Sequence, residues 1–355
     1  VEVVVKKLFA LFELLSFIAC LALAGQAWAA AADDKAVADF YRGKTVRLIV
    51  GFSAGGGYDA YTRLIGRHLQ KHIPGNPSII IENMAGAGSI ILANHMYNAA
   101  PKDGTVIGNF SGQIILEQQF GNPAVQFDLA KFRFLGVPIG ETYLLLATKK
   151  SGIVKFDDLI GSKSKQLTIG GIPGSTVEQG PMLLRDLLGA NIKVVSGYKG
   201  TADVRLAMES GELDGFFNSW ESTKVTSLDR VKNGDWQILA QVGDQPIAAL
   251  PVKNVPTIAQ IAKTEEQQQL LRFGAYAPNQ FAKVYTVPPG TPADRAAALE
   301  SALTKTFADK EFLAEAEKGK LDIDPVAATQ VQKLVNEFFG LPAELKAKLK
   351  KILRP

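Results

Sequence analysis

The chain of 355 residues is 47% hydrophobic and carries a net charge of +4 with its basic residues scattered, which argues against a nucleic-acid surface. Its one cysteine, Cys20, lies in an N-terminal apolar stretch, so the remainder has no disulfide, thiolate nucleophile or cysteine zinc site. A chain of this length buries a large core without such staples and is expected to form two lobes.

Lys6 and Lys7 precede an apolar stretch from Leu8 to Gly25, and Ala27-Trp28-Ala29 forms a small-residue cleavage box. This is the layout of a secretory signal peptide over 1–29, exported unfolded because no twin arginine appears. Glu13 is an unusual residue inside the apolar stretch. A membrane anchor would need a longer stretch. Lipid attachment at Cys20 would follow Phe17-Ile18-Ala19, a poor context for it.

Strand and helix then alternate. Strands are expected at 46–50, 79–81 and 105–110, with helices at 59–72 and 90–99 between them. Short apolar strands between amphipathic helices predict a mostly parallel sheet covered on both faces. A second unit of the same kind has strands at 143–147, 166–170, 193–196, 213–217 and 236–242. Its helices are expected from Ser175 to about Leu188, near 203–209 and over 219–231. Pro246, Pro251 and Pro256 mark a connecting segment. A strand at 284–287 and helices at about 292–308, 311–318 and 327–339 follow. Lys346, Lys348, Lys350 and Lys351 read as a solvated helix end.

Two glycine-rich turns are the most telling feature. Gly51-Phe52-Ser53-Ala54-Gly55-Gly56-Gly57-Tyr58-Asp59 follows the first strand, and Asn83-Met84-Ala85-Gly86-Ala87-Gly88-Ser89 follows the second. Each turn leads into a helix, whose start presents unpaired N–H groups and a partial positive charge. Two such starts side by side suit an anion. Four readings compete. Gly51-Phe52-Ser53-Ala54-Gly55 fits a nucleophile elbow, but the three histidines, His68, His72 and His95, all precede the later strands that would have to supply the base. Gly55, Gly57 and Glu82 fit a dinucleotide site, which would make the chain an exported NAD(P)-dependent oxidoreductase. The glycines also fit tight helix–strand packing alone. In the fourth reading Gly55, Gly56 and Gly57 cradle a carboxylate, with Asp59 capping the helix and Ala85 to Ser89 supplying a second set of amides.

His68 and His72 stand four apart, a spacing that suits a metal pair. Arg67 and Lys71 flank them with no carboxylate nearby in sequence, so a solvated basic face is expected, with no metal and no cofactor. Phe52, Tyr198 and Trp220 are candidates for a pocket wall or for the core. Asp214, at a strand end, is an edge-of-cleft acceptor or a turn residue.

At these residues the chain resembles the receptors of the tripartite tricarboxylate transporter family, the Bug proteins. Gly55-Gly56-Gly57-Tyr58-Asp59 matches that family's first loop, and Glu82-Asn83-Met84-Ala85-Gly86-Ala87-Gly88 its second. Further matches are Ala100-Pro101-Lys102-Asp103-Gly104-Thr105-Val106-Ile107-Gly108, Pro173-Gly174-Ser175, Tyr198-Lys199-Gly200-Thr201, Gly211-Glu212-Leu213-Asp214 and Val287-Pro288-Pro289-Gly290-Thr291-Pro292-Ala293-Asp294-Arg295. Phe52-Ser53-Ala54 and Ala85 stand where many members carry proline, and Tyr58 where a smaller residue is common. The resemblance implies a two-lobed α/β periplasmic binding protein of type II-like fold, each lobe a mostly parallel sheet flanked by helices, with two crossover strands as hinge. The lobes are expected over 30–140 with 246–355, and over 141–245. It implies no catalysis, a small carboxylate held in the cleft, handover to a membrane transporter of the same type, no nucleic acid, and a monomer. The ligand-binding residues expected are Ser53, Ala54, Gly55, Gly56, Gly57, Tyr58, Asp59, Ala85, Gly86, Ala87, Gly88, Ser89 and Ser111. From the second lobe Gly174, Ser175, Thr176, Tyr198 and Asp214 are expected.

Overall fold

The structure, a computed structural model, describes residues 35–354 except Asp244. The signal peptide expected over 1–29 lies outside the described residues. Ten strands occur among them: β1 (Thr45–Val50), β2 (Ser78–Asn83), β3 (Val106–Ser111), β4 (Arg133–Gly136), β5 (Tyr143–Thr148), β6 (Leu167–Gly171), β7 (Ile192–Ser196), β8 (Gly215–Ser219), β9 (Trp236–Val242) and β10 (Lys283–Val287). They form two five-stranded sheets, in the orders β2-β1-β3-β10-β4 and β7-β6-β8-β5-β9. Each sheet is mixed and flanked by helices, giving two α/β lobes.

Within each sheet three neighbouring strands are parallel, β2-β1-β3 and β7-β6-β8. Central strands such as β3 are buried along their whole length, as a sheet covered on both faces requires. Edge strand β2 is less protected, and Ile80 is exposed. The remaining strands depart from a purely parallel pattern for a topological reason. β5 enters directly from the other sheet and runs antiparallel to β8 and β9, and β10 returns to the first sheet antiparallel to β3 and β4.

The crossing from β4 to β5 is held on both sides. Val137 and Val326 exchange backbone hydrogen bonds of 3.0 Å, and the Glu141 N–H donates to the Asn279 carbonyl at 2.9 Å. Glu141 also forms a buried ion pair with Lys283 of β10. The second crossing leaves β9, where the Gln241 N–H donates to the Pro256 carbonyl at 2.9 Å.

Several helices were not foreseen. The segment after Pro256 is expected to be a plain connection. Instead Thr257 and Thr264 open helices Ile258–Ile261 and Glu265–Leu271 with reciprocal capping boxes to Gln260 and Gln267. A π turn, Arg272–Tyr276, follows; its Gly274 packs against Leu183 and Leu349. The expected helix over 219–231 is two helices, Trp220–Thr226 and Leu228–Lys232, broken at Ser227. The basic tail is the exposed face of helix Ala343–Leu353, which buries Leu349 and Leu353 and packs against helix Thr176–Leu188. Arg354, just beyond, pairs with the buried Glu117. No described helix is long and apolar enough to cross a membrane.

Candidate functional site

Three helices begin around one point, each after the C-terminal end of a parallel strand. Helix Gly57–Leu69 follows β1, helix Thr176–Leu188 follows β6, and helix Thr201–Ser210 follows β7. Carboxyl ends of parallel strands are where open α/β sheets place ligands. The residues before these helices, Gly56, Ser175 and Gly200, are extended, and none makes a side-chain capping bond. No side chain therefore covers the first-turn N–H groups, though those of Glu178 and Asp203 are bonded to the Ser175 and Gly200 carbonyls at 3.1 and 3.2 Å.

Two of these starts share a construction that explains why they stay open. Gly55 (φ +82°) and Gly174 (φ +73°) sit one residue ahead of the cap in the left-handed region that glycine tolerates. The Gly55 N–H donates to Asp59 Oδ2 at 2.9 Å, and the Gly174 N–H donates to Glu178 Oε2 at 2.9 Å. In each, the acid on the third helical residue reaches past the cap and shapes the turn without covering the helix end. Asp59 thus acts behind the site instead of capping the helix. It is 4% exposed and also accepts from Arg63 Nε at 2.9 Å and Asn83 Nδ2 at 3.1 Å. Burial pushes its carboxyl upward, but the hydrogen bonds from Arg63, Gly55 and Asn83 outweigh burial and hold it below its ordinary range. Glu178 has one further partner, the Ser196 hydroxyl.

The helix starts border an enclosed cavity of about 20 Å³. That is room for about one water. Its polar wall is Gly56, Ser111, Ser175, Thr201, Asn218 and Ser222; its apolar wall is Phe52, Tyr58, Tyr143, Ile172 and Val177. Residues of both sheets and their following loops contribute. Phe52 and Tyr58 pack together with ring centres 4.4 Å apart. The Tyr58 hydroxyl donates to the Ala282 carbonyl at 2.6 Å, and the Tyr143 hydroxyl donates to Glu141 Oε2 at 3.1 Å. Behind Tyr58 lies the fully buried Lys283, 5.2 Å from the Tyr58 ring centre and 4.8 Å from that of Tyr61. Burial drives the pKa of its ammonium down, and Glu141 supplies the countercharge. Glu141 Oε1 also accepts from the Ser219 hydroxyl at 2.8 Å.

The halves meet around the cavity. The Ser53 hydroxyl donates to Asp203 Oδ2 at 3.1 Å, and Gln113 Nε2 donates to Gln179 Oε1 at 2.6 Å. Gly57 is pressed against Ser222: a Cβ there would lie 1.9 Å from Ser222 Oγ and 2.7 Å from its Cβ. The second glycine turn makes a matching approach. Residues 86–89 all have positive φ, and a Cβ on Gly88 would lie 2.6 Å from the Pro173 carbonyl oxygen and 2.8 Å from the Ser175 nitrogen. Ser89 is buried and its hydroxyl accepts the Ser111 N–H at 3.0 Å.

Of the residues expected from sequence, Gly56, Tyr58, Ser111 and Ser175 line the cavity. Ser53, Gly57, Gly88 and Gly174 stand where the halves meet, and Thr176 donates its hydroxyl to Asn279 Oδ1 at 3.2 Å beside them. Gly55 and Asp59 shape the first helix start; Ala54, Ala85, Gly86, Ala87 and Ser89 belong to the two turns and do not line the cavity. Tyr198 packs half-buried against the core of the second sheet, away from the cavity, with its hydroxyl donating to Glu212 Oε1 at 2.7 Å. Asp214 lies in a separate surface groove with Lys149, Lys150 and Arg230. Tyr143, Ile172, Val177, Thr201, Asn218 and Ser222 were missed. Asn218 and Ser222 had a signal, because they flank the strand–helix junction after β8 as Gly56 does after β1.

The competing chemistries lose their parts. Glu82 is engaged by Arg47 through bonds of 2.8 and 2.6 Å. Ser53 faces Asp203 without a histidine. His68 and His72 do meet carboxylates, contrary to the expected solvated face: Glu315 at 2.6 Å and Asp309 at 2.9 Å. His68, Asp309 and Glu311 offer ligand atoms within 4.8 Å of one another, but Lys71 Nζ already holds Asp309 at 2.8 Å and Glu311 at 2.6 Å.

The model of the tripartite tricarboxylate transporter family receptors matches residues 62–340. The chain belongs to this family. A UPF0065 protein of Bordetella pertussis is 25% identical over 296 residues, covering 82% of this chain and 83% of that protein. Among solved structures, the periplasmic binding protein BugD superposes with a TM-score of 0.69 at 16% identity, over 88% of this chain and 98% of that one. A Rhodopseudomonas palustris protein solved with adipate gives 0.67 at 21% identity, over 87% and 97%. MatC from Rhodopseudomonas palustris with bound malate gives 0.63 at 20%, over 88% and 99%. These likenesses concern the fold. The family is one of solute-binding receptors.

Proposed function

We propose that this chain is a periplasmic receptor that captures a small carboxylate between two lobes and delivers it to a tripartite tricarboxylate-type membrane transporter, without catalysis and as a monomer. The lobes are 30–140 with 246–355, and 141–245, with helices Glu265–Leu271 and Ala343–Leu353 packed across their junction. The observation that carries this reading is the convergence of three uncapped helix starts, from both halves, on one enclosed cavity. Backbone N–H groups in such a place favour an anion and are shielded from competing water. The bound carboxylate would bridge the halves, and the two crossings would serve as the hinge of a rigid-body closure. Family membership supports the receptor role, and the neighbours solved with malate and adipate support a carboxylic acid as cargo.

A ligand that binds only the native form raises the melting temperature. A panel of carboxylic acids should therefore contain members that stabilise the purified chain, while NAD does not. A shift with NAD and none with any acid would refute the receptor reading. Mass spectrometry of ligand retained after gentle purification would identify the acid.

A further inference from the structure

We infer that Glu117 is a positioning residue of the binding cleft: it holds the Thr176 helix start in place against the first half, and Arg354 balances its charge so that an anion can bind close by. The inference rests on the receptor reading above and names side chains outside the cavity wall on which that site depends.

Geometry is the first argument. Glu117 lies on helix Ile114–Gln119, which follows β3, and is 1% exposed. Its Oε1 accepts from Gln179 Nε2 at 2.5 Å. Gln179 is equally buried and stands at the end of the first turn of helix Thr176–Leu188. Its own Oε1 accepts from Gln113 Nε2 at 2.6 Å, and Gln113 Nε2 also donates to the Gly274 carbonyl at 2.9 Å. A buried chain of hydrogen bonds thereby ties the second half's helix to the first half, and none of its members lines the cavity. Glu117 also reaches the turn ahead of that helix: a Cβ on Gly174 would lie 3.7 Å from its carboxyl carbon. Breaking the chain leaves buried polar groups unpaired and loosens the helix start.

Charge is the second argument. A buried carboxylate here would work against the site that it positions. It stands beside a helix start whose partial positive charge favours an anion, and away from water like charges repel strongly. Arg354 compensates it: Nη2 pairs with Glu117 Oε2, and Asn122 Nδ2 donates to the same oxygen at 2.7 Å. Among the described residues no other cation forms an ion pair with Glu117. Glu178, the other acid at this start, is half-buried, so water screens it. The Arg354 side chain is 33% exposed, so it can be shortened without opening the core. Its loss would leave Glu117 buried and uncompensated.

The test is calorimetric titration of the purified chain and its variants with the carboxylic acid that most raises its melting temperature. Arg354→Ala should weaken binding by about tenfold, and adding Glu117→Gln, which keeps an acceptor for Gln179 without the charge, should recover at least about half of that loss in free energy. Arg354→Gln carries the test if Arg354→Ala does not fold. Gln179→Met, which keeps the length of the side chain and drops both hydrogen bonds, should weaken binding by about tenfold, and Glu117→Gln should not recover it. A merely structural Arg354 would lower the melting temperature and leave the affinity of the folded protein unchanged; that result would overturn the inference while the receptor reading stands. A loss in Arg354→Ala that Glu117→Gln does not reverse would overturn the role given to charge, and full-strength binding by folded Gln179→Met would overturn the positioning. No acid binding to the unaltered chain would sink both the inference and the reading beneath it.

Discussion

The helix starts at Gly57 and at Thr176 are two versions of one device, and they differ in how firmly they are held. Both use a left-handed glycine, an extended cap residue and a third-position acid that reaches back past the cap. At the first start, Asp59 is buried and takes bonds from Gly55, Arg63 and Asn83, the last arriving from β2. At the second, Glu178 is half-buried and is braced by Gly174 and Ser196 alone. On the proposed receptor reading the difference is a division of labour: the first half would present a fixed anion site, and the second a softer one that would settle onto the ligand as the halves meet. Preorganised donors bind more tightly because less order is lost on binding.

The comparison is broken most completely by Gly57→Val. The added side chain would collide with Ser222 and keep the halves apart, and the loss of carboxylate affinity should be about 100-fold with the fold retained. A second change, Ser222→Gly, should restore part of it. Titration calorimetry on the three proteins checks this; full-strength binding by the folded single variant would contradict it.

The asymmetry itself is tested by Asp59→Ala against Glu178→Ala. Removing Asp59 leaves three donors without their acceptor, and affinity should fall by about tenfold; removing Glu178 should cost about threefold. Equal losses would show that the two starts are braced alike. The pH profile of the first start carries a sign as well. Because Asp59 is held below its ordinary pKa, its contribution to stability is present above that ordinary value and is lost as pH falls through the lowered one. Melting curves of the Asp59→Asn variant should therefore lack part of the acid-side decline.

Much of this was legible. The parallel strands, the two glycine turns and the helices after them follow from apolar runs and glycine chemistry. The antiparallel returns of β5 and β10 were not, because strand direction depends on which sheet the chain has just left. The capping boxes Thr257-Ile258-Ala259-Gln260 and Thr264-Glu265-Glu266-Gln267 are short local signals that follow Pro246, Pro251 and Pro256, whose spacing reads as a connection. Tyr143 and Ser222 could not be placed by motif, since they reach the cavity only through the crossing at 137–142 and the pairing of β5 with β8. Tyr198 and Asp214 sit in motifs that resemble the family's, yet their side chains are engaged elsewhere in the second half.

A third test concerns the junction after β8, whose helix is capped by its own Ser219 hydroxyl. Glu221 on that helix is buried, and burial raises its pKa to about 7, against hydrogen bonds from backbone N–H groups and the pull of Lys224. An acid raised in this way weakens the fold as pH climbs from its ordinary value of 4.5 through about 7, because the unfolded chain loses the proton first. Glu221→Gln should remove that decline, a gain of up to about 3 kcal/mol at pH 8 that thermal unfolding across pH can read. A parallel decline in both proteins would contradict it. The smallest effect is expected of Ser53→Ala, which removes the bond to Asp203 between the halves and should weaken ligand binding by about twofold to fivefold.

The most direct measurement is a crystal structure of the unaltered chain grown with the carboxylic acid that most raises its melting temperature. The carboxylate should lie in the cavity, its oxygens about 2.7–3.2 Å from backbone nitrogens at both the Gly57 and the Thr176 helix starts, with its carbons against Tyr58. A carboxylate bound by one half alone, or held by a lysine or arginine outside the cavity, would contradict the account.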